Sequence, residues 1–269
     1  MAHKTAAELG IHLPAPTPWP AMVTVGVGLI PTGILAQKYF MPEHGMAILW
    51  IGVLLVGFTL MGWCHQVIQD KNEAHTDGEI EQQKNDLTLA TKLMLVSEAA
   101  IFGGLFVHFF YNKDYAVNLL GMEFRPEGLL ETSLPAIGTL LLISSSFTCH
   151  VAHHAFEAGN RGKAKTYLVY TMVLGLIFLG MQGYEWGHLA GLPEPFTAAS
   201  GVFGTCFYLM TGFHGAHVAM GIMMLFLVYA RMEMNHMTEK RHFSMVAASW
   251  YWHFVDVVWI VLFFTVYLI

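Results

Sequence analysis

Long apolar runs, separated by short polar turns, constrain this chain more than any other feature. Each run is about 20 residues or longer, the length a helix needs to cross roughly 30 Å of hydrocarbon. Lipid offers no hydrogen bonds to the backbone, so a spanning chain must be helical or form a closed barrel. The runs do not alternate apolar and polar residues as barrel strands do, which selects helices. Composition agrees. The chain is 55% hydrophobic and 12% charged, against roughly 25% charged in soluble domains.

The runs predict seven spans at residues 21–39, 46–66, 87–111, 132–154, 166–188, 201–230 and 244–269. Pro31 lies inside the first and predicts a kink there. The organisation read from this pattern is one domain, 1–269, with no internal repeat. It has a cytoplasmic lead-in at 1–20, two spans in 21–66, a charged cytoplasmic loop running into helix at 67–86 and a five-span bundle at 87–269. Neither Lys4 nor the Pro-rich stretch Pro14–Pro20 reads as a signal peptide.

Basic residues predict the orientation. The N-terminal side collects Lys4, Lys71, Lys84, Lys92, Arg161, Lys163, Lys165, Arg231, Lys240 and Arg241, whereas the other side has Lys38, Lys113 and Arg125. The expectation is a cytoplasmic N-terminus and a periplasmic C-terminus. A net charge of -6 with no basic cluster excludes a nucleic-acid partner. Cys64, Cys149 and Cys206 are isolated, so thiolate-ligated clusters are excluded too. There is no phosphate loop, Rossmann fingerprint or Ser/His/Asp arrangement, and the GxxG spacings at Gly201 and Gly212 lie in apolar spans.

Ionisable residues inside the spans carry the functional question, because each costs roughly 2.5–3.5 kcal/mol on insertion scales. They are Glu98, Glu185, His214, His217, His253 and Asp256. His214 and His217 share a helix face. They read either as a ligand pair or as histidines that lock packing, and no partner set at their depth favours the first reading. His253 and Asp256 have the same spacing and are expected to hydrogen-bond each other. Glu98 reads as a proton-carrying carboxylate or as an acid bonded to a neighbouring Ser or His. His150, His153 and His154 form HxxHH, a spacing seen in membrane di-iron desaturases and hydroxylases, but no second such box exists. No metal is therefore expected in this chain. From composition alone, a transporter or a membrane hydroxylase fits as well as any other polytopic protein.

Motifs in register narrow this further. TGFHGAHVAMG at Thr211–Gly221 and WYWHFVDVVW at Trp250–Trp259 resemble the two strongest signatures of cytochrome c oxidase subunit III. So do PTPWP at Pro16–Pro20, LVSEAAIFGGLF at Leu95–Phe106, AHHAFEAGNR at Ala152–Arg161, and Met181-Gln182 through Glu185. The chain departs from that family's pattern at two places. His65, Gln66, Gln69 and Asp70 replace an Arg-Asp…Arg-Glu run, and Val246 replaces an acid.

The resemblance implies an all-α integral membrane fold, with the first two of seven helices splayed from the remaining five to leave a lipid-filled cleft. It implies a non-catalytic subunit of a proton-pumping haem–copper oxidase, with haem and copper held in partner subunits. Subunit I is the main contact, beside subunit II and small accessory subunits, and cytochrome c is favoured over quinol as donor. The subunit would stabilise subunit I, bind phospholipid and support proton uptake. The lipid-binding residues it implies are Trp63, His65, His75, Ser97, Glu98, His217, Arg231 and His236. The expected location is the bacterial cytoplasmic membrane in preference to the mitochondrial inner membrane.

Overall fold

The computed structural model describes residues 17–121, 123–126, 128–238 and 242–269, except 71–76. Side chains are also left undescribed at 64, 65, 67–70, 77–80 and 83. Among the described residues the chain is helical, without strands: α1 Trp19–Leu35, α2 Gly45–Asp70, α3 Asp77–Asp114, α4 Ser133–Glu157, α5 Arg161–Ala190, α6 Gly201–Glu233 and α7 Phe243–Leu262. All seven are long and apolar enough to cross a membrane. α1, α3 and α7 each run on into a π-helical turn, at Ala36–Phe40, Tyr115–Leu119 and Phe263–Leu268. Chain contacts divide the protein into two compact units, Met1–Thr76 and Asp77–Ile269.

Several helices outrun the apolar pattern. The charged stretch expected as a loop at 67–86 belongs to α2 as far as Asp70 and to α3 from Asp77. Hydropathy marks where lipid ends, whereas backbone hydrogen bonding continues into water. The gap left between the fourth and fifth expected spans shrinks to Ala158–Asn160, because Asn160 Oδ1 caps α5 by accepting from the Lys163 amide at 3.0 Å. Gly159, at φ 77°, supplies the left-handed step after α4. Pro31 does not end α1, which continues to Leu35.

In the first unit, α1 and α2 form a hairpin packed on small residues. Gly26 and Gly33 on α1 face the α2 backbone near Gly52 and Leu49. A Cβ at Gly33 would collide with the Leu49 backbone. Small residues let helices approach closely where lipid supplies no hydrophobic drive. Trp19 closes the hairpin, its indole N–H donating to Gln66 Oε1 at 2.6 Å.

In the second unit, α7 is the central helix and the most buried of the spans. Trp252 on it is fully buried. Its ring occupies the space that side chains at Gly175 on α5 and Gly221 on α6 would fill, with built Cβ positions 2.6 and 2.8 Å away. Its N–H donates to Ser145 Oγ on α4 at 3.0 Å. Seven residues on, Trp259 donates to Thr139 Oγ1 at 2.9 Å. By contrast, the outward faces are apolar, with Leu93, Val107, Phe147 and Leu176 all exposed. That is the surface a membrane or another apolar partner requires.

Basic residues pair within single ends of this unit. Arg161 reaches Asn235 and the Met237 carbonyl, Lys165 bonds Glu233 at 2.8 Å, and Lys92 lies over the Trp250 ring. At the opposite end Arg125 donates to the Tyr267 carbonyl at 2.9 Å.

Gly221→Val forces the Trp252 ring from its seat. It should destabilise the bundle by about 1–3 kcal/mol, and Trp252→Ala by about 3–5 kcal/mol through the cavity it leaves. Buried Cys149, unreactive towards a thiol reagent in the parent, should label in both variants.

Candidate functional site

Glu98 and His217 meet near the middle of their helices. α3 presents Leu95, Glu98, Phe102 and Phe109 at helical spacing towards α6 and α7, and the two phenylalanines are buried. From α6, His217 Nε2 lies 3.1 Å from Glu98 Oε2. The imidazole is held on its other side, where Nδ1 is 2.7 Å from the Phe213 carbonyl. Phe102 and Phe213 pack against the ring at centroid distances of 5.0 and 4.6 Å, and Tyr251 stacks at 6.3 Å. The pair is not sealed, since the Glu98 side chain is 26% exposed.

This geometry fixes the proton count. A carbonyl only accepts, so His217 Nδ1 must carry its hydrogen and donate to Phe213. The contact at Nε2 then needs exactly one more proton, held either by the carboxyl as O–H···N or by the imidazolium as N–H···O. Ser97 takes no part, because its hydroxyl donates to the Met94 carbonyl of its own helix at 2.7 Å.

His214 turns away from this pair. It is 1% exposed, and its Nε2–H donates to the Val255 carbonyl of α7 at 3.2 Å. The rings of Phe178 and Trp259 enclose it, and its Nδ1 has no partner. The two α6 histidines therefore serve different contacts and do not form a ligand pair. The expected His253–Asp256 bond is also absent. His253 Nδ1 instead meets Ser146 Oγ of α4 at 2.6 Å, and neither carboxyl oxygen of Asp256 has a hydrogen-bond partner. A shared face brought the two residues close, but α4 offered the nearer hydroxyl. Glu185 accepts from Gln182 at 2.9 Å and from the Tyr267 hydroxyl at 2.7 Å, all buried. Tyr267 was missed in the sequence because nothing links it to Glu185 except the folded chain.

Within the second unit, the residues expected to bind lipid are spread along their helices. Arg231 and His236 lie at and beyond the last turn of α6. Arg231 is about 21 Å along the axis from His217 at 1.5 Å per residue, so a headgroup there lies far from Glu98. Ser97 is exposed. Trp63 is half-buried in the first unit, the His65 side chain is not described, and His75 lies outside the described residues.

The family model for cytochrome c oxidase subunit III matches residues 10–269. This chain belongs to the cytochrome c oxidase subunit III family. It is 33% identical to cytochrome c oxidase subunit 3 of Scyliorhinus canicula over 260 residues, 95% of each chain. With the Homo sapiens protein it shares 31% over 271 residues, 99% of this chain and 98% of that one. With the Triticum aestivum protein it shares 34% over 263 residues, 95% of each. All seven spans lie inside the residues that the family model matches, and the chain is a multi-pass membrane protein.

Two outcomes follow from the bonds seen. Ser146→Ala removes the partner of His253 and should lower stability by about 1–3 kcal/mol, whereas Asp256→Asn keeps the shape and size of the side chain and should be near neutral in the same thermal unfolding measurement. Infrared difference spectra should show a Glu98 carboxyl or carboxylate band that shifts in His217→Phe and disappears in Glu98→Gln.

Proposed function

We propose that this chain is the non-catalytic subunit III of a proton-translocating haem–copper terminal oxidase, which reduces oxygen to water with cytochrome c as donor. The match to that family across residues 10–269 carries the reading. Haem and copper belong to partner subunits on this view, and the chain binds subunit I, with subunit II and accessory subunits beyond it. Its work is to stabilise subunit I, hold phospholipid and support proton uptake.

Residues of this chain supply a physical basis for each part. The apolar outer faces of α3 to α7 offer surface to lipid and to a neighbouring subunit. Trp63, Arg231 and His236 can hold headgroups near span ends, while Glu98 and His217 meet acyl-chain depth. Glu98 and His217, 3.1 Å apart, put a carboxyl and an imidazole together inside the spans, where a part in proton uptake would need them. We also place the N-terminus on the cytoplasmic side of a bacterial inner membrane, on the asymmetry of Lys and Arg.

Glu98→Gln tests the role directly. An amide can still donate to His217 Nε2, so subunit assembly should persist while the exchangeable proton is gone. Turnover of the co-purified oxidase should then decay faster with time, or proton uptake should slow. A turnover-versus-time record identical to the parent's, with unchanged proton uptake, would remove Glu98 from the function.

A further inference from the structure

The end of α4 carries a side-chain cluster that the proposed function does not use. His153 and Glu157 are one helical turn apart, and His242 stands at the start of α7. One ligand atom from each lies within 4.8 Å of the other two. His153 Nε2 is buried, has no hydrogen-bond partner and is 3.5 Å from Glu157 Oε1. The second carboxylate oxygen, Oε2, is held by His154 Nδ1 at 3.0 Å.

We infer that His153, Glu157 and His242 form a binding site for a divalent cation of the zinc class. Two imidazole nitrogens and one carboxylate oxygen suit borderline ions, whereas magnesium and calcium demand oxygen sets. Bonds of about 2.0–2.1 Å in a tetrahedron separate neighbouring ligand atoms by roughly 3.4 Å. The His153–Glu157 separation matches that edge as it stands, and the i, i+4 spacing chelates across one turn of a rigid helix. His242 offers the third ligand atom, within 4.8 Å of the other two. His154 acts from behind, orienting the carboxylate as outer partners of metal ligands do. Among the described residues, the cations at this end are engaged elsewhere, Arg161 with Asn235 and Met237, and Lys165 with Glu233. The site holds no ion here. A bound ion would tie the end of α4 to the start of α7, leaving a fourth position open to water.

The inference differs from the HxxHH reading. His150 is not a ligand, Glu157 and His242 are, and the centre is mononuclear.

The test uses the full-length chain with whatever subunits co-purify, stripped with chelator and equilibrated with zinc chloride. Elemental analysis should find one more zinc per chain in the parent than in a His153→Gln/His242→Gln double variant. Glu157→Gln should weaken binding at least tenfold, and His154→Gln should retain the ion. Excess calcium should not compete. Without any substitution, zinc should also shield His153 and His242 from diethyl pyrocarbonate, read by peptide mass spectrometry. Equal zinc in parent and double variant would overturn the site, as would unchanged modification of both histidines.

Discussion

The seating of Trp252 is the constraint on which the five-helix unit depends. One indole from α7 fills the room left by two glycines, Gly175 and Gly221, and bonds a hydroxyl of a fourth helix, Ser145. In lipid, apolar area alone does not draw helices together, so shape and hydrogen bonds must. Trp252 supplies both at one point. Trp259 with Thr139, His253 with Ser146 and Cys149 with Ser249 extend the α4–α7 seam along its length. α6 joins the same helix through His214 and the Val255 carbonyl. With α7 fixed in this way, α3 has a surface to lie on, and Glu98 reaches His217.

The seven spans were legible because lipid imposes a simple rule on sequence. A run that must cross hydrocarbon shows itself by length and by lack of charge, and the motifs in register then named the family. Helix ends were less legible. Polar residues such as Asn112 and Asp77 sit in helices because hydrogen bonding does not stop at the membrane edge. The pattern of 67–86 speaks about solvent, and says less about where loop gives way to helix.

The ionisable residues divide in an instructive way. Their presence inside spans was plain, yet most partners were not. Glu98 and His217 are 119 positions apart, and Glu185 and Tyr267 are 82 apart. Spacing along one helix reports only which residues share a face. It suggested His253 with Asp256, and the fold preferred Ser146, which arrives from another helix. Gly175 and Gly221 are similarly silent in sequence until the ring between them is seen.

His217 has no ring nitrogen to spare. Nδ1 is committed to the Phe213 carbonyl and Nε2 to Glu98. The imidazole cannot accept at one edge and release at the other, which is what a proton wire demands of its histidines. The carboxyl end is the open side of the contact, since the Glu98 side chain is 26% exposed. The histidine is thus a fixed post for the carboxyl, anchored on its own helix at Phe213 and reaching across to α3 at Glu98.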